Sequence, residues 1–164
     1  FSAAAIEQSV LRSLQRLNTE RLEFVLLHCP PNDLPAITDS PALEILAQLK
    51  AKGFIRYYGV SSMTLEGGLK AVGLSDAVMV AWNYLYRDQE SVIRKAGELG
   101  KAVFLKKALL SGNLHTTADG KSLVENCVHA ALDLPEMSSL IGGTINLAHL
   151  RENAAAAGNW SLKA

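Results

Sequence analysis

Phe24-Val25-Leu26-Leu27, followed at once by His28-Cys29-Pro30-Pro31, is the stretch on which the fold turns. Four consecutive apolar residues without polar alternation are expected of a strand covered on both faces, as in a parallel sheet. Two prolines then end the ladder, because proline has no N–H to give it. A parallel strand reaches its partner only by a crossover of a dozen or more residues, usually helical. The sequence supplies one. Ser40-Pro41 offers a capping hydroxyl and a proline for the first helical position. Leu43, Leu46 and Leu49 recur at helical spacing over 42–52, and Gly53 suits the left-handed residue that closes a helix. Tyr57-Tyr58-Gly59-Val60 then reads as the second strand.

Outward from this unit the pattern repeats. Ile6, Val10, Leu14 and Leu17, with Leu11 beside them, predict a helix over 6–17 that Asn18-Thr19 ends. Downstream, helices are expected over 64–72, 89–99, 123–134 and 148–157, and strands over 77–81, 102–105 and 139–141. Taking Phe24, Tyr58, Val78, Val103 and Leu140 as strand markers, the steps are 34, 20, 25 and 37 residues. That alternation predicts an α/β fold with a parallel sheet, a single domain over 1–164. Units of this size fit either an open doubly wound sheet or a (β/α)₈ barrel, whose eight units average about 31 residues. Spacing does not choose between them. As barrel units, the chain would be roughly five-eighths of the whole.

Composition narrows the function classes. The chain has 164 residues, 49% hydrophobic and 20% charged, with 16 Lys+Arg against 16 Asp+Glu. That is a globular composition, and zero formal charge without a basic run argues against nucleic acid or an anionic membrane as partner. No apolar stretch approaches the ~18 residues of a membrane span. Two cysteines, Cys29 and Cys127, with no Cys-x-x-Cys pattern, suggest neither a disulfide framework nor a structural zinc, and fit a reducing, cytoplasmic compartment. Phe1-Ser2-Ala3-Ala4-Ala5 lacks the basic start of a signal peptide, and with no initiator methionine the chain is expected to begin mid-fold.

In either architecture the ligand lies beyond the carboxyl ends of the strands. The residues there are His28, Ser61-Ser62, Trp82-Asn83, Lys106-Lys107 and Gly142-Gly143-Thr144. His28 is placed to donate a hydrogen bond to a carbonyl or to act as acid or base, or is an ordinary surface histidine. His115, His129 and His149 share no spacing with it, so no metal site is expected. Ser61 and Ser62 could hold an amide, or cap the helix that follows. Lys106 and Lys107, running into Ser111-Gly112, suit an anionic phosphate, or are one snorkelling and one solvated lysine. No phosphate-binding loop of the Gly-x-x-x-x-Gly-Lys type and no Gly-x-Gly-x-x-Gly occurs. Gly142-Gly143-Thr144-Ile145-Asn146 could seat a phosphate or ribose at a helix amino end, or is a tight junction with Asn146 as cap.

Several separated pieces together resemble one family, the aldo-keto reductases. They are Ser13-Leu14-Gln15-Arg16-Leu17, the segment from Leu22 to His28-Cys29-Pro30, Gly53-Phe54-Ile55-Arg56-Tyr57-Tyr58-Gly59-Val60-Ser61-Ser62, and Trp82-Asn83. Ala108-Leu109-Leu110-Ser111-Gly112-Asn113-Leu114 and the stretch from Gly143 to Glu152-Asn153 complete the set. The similarity is collinear over about 6–157 and covers the family's carboxyl-terminal five-eighths.

The resemblance implies a (β/α)₈ barrel of TIM type, here about five βα units. It implies reduction of a small-molecule carbonyl, an aldehyde or ketone, with NADPH (or NADH) and without metal. His28 would be the catalytic residue that orients and polarises the carbonyl. Ser61 and Ser62 would meet the nicotinamide carboxamide, Ser62 standing where asparagine is usual. Met79 falls where the family often has a glutamine, and Lys106 where a tyrosine often stacks on nicotinamide. Lys107, Ala108, Leu109, Ser111, Gly112 and Leu114 would follow the pyrophosphate. Gly143, Thr144, Asn146, His149, Glu152 and Asn153 would line the adenosine end, with His149 in place of the usual basic reader of the 2′-phosphate.

The family's catalytic aspartate, tyrosine and lysine belong to its first strands. Tyr57, Tyr58, Tyr84 and Tyr86 belong to other segments. Activity is therefore expected to need an amino-terminal part, and five barrel strands alone would leave sheet edges that invite self-association. The alternatives are a noncatalytic nucleotide-binding or interaction module of the same fold, and a different barrel or open-sheet enzyme using His28 and Lys106, such as a Schiff-base lyase.

Overall fold

The computed structural model describes residues 2–110 and 123–160. In chain order the elements are α1 Ala3–Leu17, β1 Leu22–His28, α2 Leu34–Thr38, α3 Ala42–Ala51, β2 Ile55–Ser61, α4 Leu65–Leu74, β3 Ala77–Ala81, α5 Glu90–Glu98, β4 Ala102–Lys106, α6 Leu123–Leu132, β5 Ser139–Leu140 and α7 Leu147–Gly158. Helix ends follow local chemistry. The Ser2 hydroxyl accepts from the Ala5 N–H at the start of α1, and Asn18, at φ 50°, closes it. Gly53, at φ 82°, takes the left-handed position after α3, where a Cβ would be strained.

Strand order decides the architecture. The five strands lie side by side as β1-β2-β3-β4-β5, and each pair is parallel. A doubly wound sheet reverses its order at a switch point; this one never does. Because parallel crossovers are right-handed, an unreversed order puts the helices on one side, as in a barrel.

The two faces of the sheet differ accordingly. Toward the helices, Val60, Val78, Val103 and Leu105 are fully buried against Leu46, Leu49, Val72, Val92 and Ile93. Each such side chain contributes about 1.5–3 kcal/mol relative to exposure. On the opposite face Phe24 stacks on Tyr57 and meets Phe104 edge-on, both at 5.1 Å between ring centroids. Phe24 remains 39% exposed and Tyr57 37%. The expectation that 24–27 is covered on both faces is corrected here: only Leu27 is buried, because no described element covers the aromatic side. On that same side Gly59 lets strands approach, since a Cβ there would press on the Ala77 carbonyl and Leu26. Helix α2 is a short addition between β1 and α3, with Pro35 in its first turn.

Candidate functional site

Parallel pairing brings every strand's carboxyl end to one rim. His28 sits opposite Ser61 in register, Ser61 opposite Met79, and Ala81 opposite Lys106. These residues share the aromatic face, so alternation along each strand aims their side chains to the same side.

Lys106 organises the rim. From the end of β4 its ammonium crosses β3 and donates to the Ser61 hydroxyl oxygen at 2.9 Å and to the Ser62 carbonyl at 2.8 Å. Its third contact is the Met63 thioether at 3.6 Å, a weak acceptor. Burial pushes its pKa below the ordinary lysine value, and neighbouring Lys107 adds to this, while Cys29 and Asp33 act the other way. Around it lies a pocket of about 450 Å³ lined by Ser62, Met63, Asn83, Tyr86, Lys107 and Leu110 among others. A larger hollow of about 980 Å³ lies at the other end of the strands, bordered by Asn18, Glu20, Arg21 and Phe54. The ligand rule for parallel α/β folds favours the smaller one.

The pocket wall is rigidly built. Asn83 is 6% exposed; its Oδ1 accepts from the N–H groups of Leu85 and Tyr86, and its Nδ2 donates to the Lys107 carbonyl at 3.2 Å. Lys107 and Leu110 both hold positive φ, 59° and 50°, without being glycine. Such backbone strain gathers at ligand clamps and active sites.

The turn after β2 is held from behind. Asp33, fully buried, accepts from Met63 N at 2.6 Å, Thr64 N at 3.0 Å and the Thr64 hydroxyl at 2.6 Å. Burial alone would raise its pKa; the hydrogen bonds from Thr64 and Met63 together outweigh it and hold the carboxyl below the ordinary range. Gln89, 2% exposed, donates to the Met63 carbonyl at 2.9 Å and accepts from the Ser62 hydroxyl at 3.4 Å. Neither serine caps α4. Thr64 does, its hydroxyl accepting from Gly67 N at 3.0 Å. Ser62 therefore turns its side chain inward and offers its backbone to the rim.

The other predicted residues divide. His28 is exposed and borders a separate hollow of about 320 Å³ walled by Ile6, Val10 and Leu46, not the Lys106 pocket. Cys29 beside it is buried, and burial with the Asp33 carboxylate, against Lys106, pushes its thiol up to about 11, so it stays protonated. Met79 is half-buried on the aromatic face, and its carbonyl accepts from Ser62 N at 3.1 Å. Ala108 is buried, and Leu109 packs on the small cluster of Val124, Val128 and Ala156. Asn146 caps α7, its Oδ1 accepting from Ala148 N at 2.9 Å, and Thr144 accepts from Asn146 N at 3.1 Å. His149 and Glu152 are exposed, Asn153 is half-buried, and Gly143 faces open space. Ser111, Gly112 and Leu114 lie outside the described residues.

The sequence does not single out Asp33 or Gln89, and Tyr86, set apart there as belonging to another segment, lines the pocket. Asp33 has only a weak local signal, an acidic residue before Leu34-Pro35, and its partners lie some thirty residues away. Among the described residues no cluster of three or more His, Cys, Asp or Glu is arranged to hold a metal, and no helix is long and apolar enough to cross a membrane.

Comparison with known proteins places these features. Residues 1–125 match the profile of the Aldo/keto reductase family. A Pseudomonas aeruginosa protein, PA4992, assigned to the aldo-keto reductases, superposes with a TM-score of 0.84 at 40% identity, over 96% of this chain and 59% of that one. The uncharacterized oxidoreductase YqkF of Bacillus subtilis is 24% identical over 95% of this chain and 61% of its own length. A D-threo-aldose 1-dehydrogenase from a Pseudomonas species is 31% identical over 54% of this chain and 28% of its own. The chain thus spans about three-fifths of the first two relatives.

Proposed function

From the premise that this chain belongs to the aldo/keto reductase family, we propose that it forms the cofactor-binding side of an oxidoreductase that reduces aldehydes or ketones to alcohols with a nicotinamide dinucleotide, NADPH before NADH. The observation that carries this reading is the Lys106 pocket at the carboxyl rim, where a half-buried ammonium faces a space of about 450 Å³. Its volume lies in the range of small-molecule and cofactor sites.

The donor set fits such a group. The Lys106 ammonium can meet an amide or ribose oxygen, and Ala81, Leu85 and Leu110 offer apolar contact to a flat ring. Lys107 stands at the same rim with charge for a phosphate. The bound dinucleotide would supply hydride to the carbonyl carbon. His28, on the same sheet face, would hold the carbonyl oxygen, a positioned imidazole being suited to donate there.

The proton for the alcohol needs an acid, and Tyr86, the tyrosine on the wall of the Lys106 pocket, has its hydroxyl pKa pushed up by burial and by Asp88. Tyr57 lies four residues back along β2, against Phe24 and Arg56. The Tyr58 hydroxyl donates to the Leu74 carbonyl at 3.2 Å. Full turnover is therefore assigned to a complete barrel, with the proton donor on strands preceding β1. Buried free thiols at Cys29 and Cys127 suit a reducing, cytoplasmic setting.

A second reading is nucleotide binding without catalysis, for which the two lysines of the rim, Lys106 and Lys107, would be enough. One experiment separates them. The natural polypeptide that carries this sequence should consume NADPH when given a panel of aldehydes and ketones. Binding of NADPH without turnover on any of them supports the module, and failure to bind NADPH sinks both.

A further inference from the structure

We propose that Asp33 is a positioning residue for Lys106, acting through the Ser62–Met63 peptide unit to keep the ammonium charged and aimed into the pocket. The carbonyl of Ser62 and the N–H of Met63 belong to the same amide. Lys106 Nζ donates to that carbonyl at 2.8 Å, and that N–H donates to Asp33 Oδ2 at 2.6 Å. Cation and anion thus grip one peptide group from opposite ends. The next amide is held alike, with Gln89 donating to the Met63 carbonyl at 2.9 Å and Thr64 N donating to Asp33 Oδ2 at 3.0 Å.

This arrangement has a physical consequence. A hydrogen bond to an amide carbonyl makes its N–H a better donor, and the converse holds, so the two charges strengthen each other through the amide. Asp33 is fully buried, and its carboxylate is held by hydrogen bonds to Thr64 and Met63, not by a direct cation. A buried charge needs compensation, and Lys106 supplies it at one remove. Direct pairing would spend the ammonium on the carboxylate. The relay leaves its third proton against only the Met63 thioether, where a ligand oxygen is the better acceptor.

The groups that bear on Lys106 are Lys107 at the end of its own strand, Cys29 and Asp33 from the segment following β1, and Tyr86 across the pocket. Lys107 opposes the charge; Asp33 supports it. Gly67 completes the seat of the carboxylate, because a Cβ at that position would overlap it.

The relay is tested on the ligand-free natural polypeptide, by side-chain NMR titration of the Lys106 amine and the Asp33 carboxyl. D33N should lower the Lys106 midpoint by roughly one pH unit, the scale for removing a nearby opposite charge. K106M should raise the Asp33 midpoint by the same amount, since coupling between two sites is reciprocal. K107M should raise the Lys106 midpoint. An unmoved Lys106 midpoint in a folded D33N protein, or an unmoved Asp33 midpoint in K106M, overturns the proposal. If D33N does not fold, K106M decides alone, since Lys106 stands at the half-exposed rim.

The consequence for ligand rests on the function proposed above. D33N and K106M should each weaken NADPH binding about tenfold, and the double variant should be no weaker than either, as expected for residues acting as one unit. Additive weakening would overturn the relay's role in binding. A wild-type protein that binds no NADPH would instead overturn the nucleotide reading, with the NMR titration still deciding the relay.

Discussion

At the amino-terminal end of the sheet, Lys50 Nζ meets both carboxylate oxygens of Asp76 at 2.8 Å, and Asp76 accepts in addition from Tyr58 N at 3.1 Å. At the carboxyl-terminal end, Asp33 and Lys106 hold the two ends of an amide between them. The first pair is closed on itself and ties α3 to the middle of β2 and the start of β3. The second leaves a cation facing a cavity. In barrels of this type the amino-terminal end serves stability and the carboxyl-terminal end serves chemistry, and here the difference shows in how each carboxylate is matched.

The largest expected effect that could break this comparison is on activity. His28→Ala in the natural polypeptide should lower kcat/KM for an aldehyde about 10²–10⁴-fold, the range for losing a positioned acid–base or polarising group. Thermal unfolding should hardly move, because His28 is exposed. An unchanged kcat/KM would remove His28 from the site.

At the opposite end the effects should exchange. Asp76→Ala removes the acceptor for Lys50 and for the Tyr58 N–H, and should cost about 1–2 kcal/mol in denaturant unfolding. Its kcat/KM should match the parent. A loss of activity with no loss of stability would show that the amino-terminal end is not merely structural.

The smallest effect sharpens the contrast by pH. Asp33 gives up its proton more readily folded than unfolded. The stability it supplies is therefore complete above the unfolded carboxyl value of ~3.9 and lost as pH falls through the lower folded value. Unfolding free energies of the parent and D33N should approach each other as the pH drops into that window. A gap that stays constant across it would mean that the carboxylate's charge is not what matters.

The sequence disclosed the repeating units because each was locally punctuated. Gly53 and Gly100 close helices with positive φ, as their positions after apolar-periodic stretches imply, and all five strand markers lie in strands. Strand order was not legible, since unit length is the same for an open sheet and a barrel. Helix α2 was missed because it is five residues long and begins beside a proline, too short for any period to show. At the rim, Lys106 was readable from its place at the end of β4. Asp33 and Gln89 were not, because their roles exist only once segments some thirty residues apart have met. Ser62 shows the limit of position alone. It stands at the right end of the right strand, yet Gln89 draws its hydroxyl inward. Phe24 misled through composition, for an apolar run looks the same whether or not something covers its second face.

The unreversed order of the strands bears on how the chain is made. Among the described residues each strand pairs with its neighbours in sequence, so each βα unit emerging from the ribosome finds the preceding one already synthesised and close at hand. Short sequence separation between partners speeds folding, and these five strands can be added to the sheet one after another from one end.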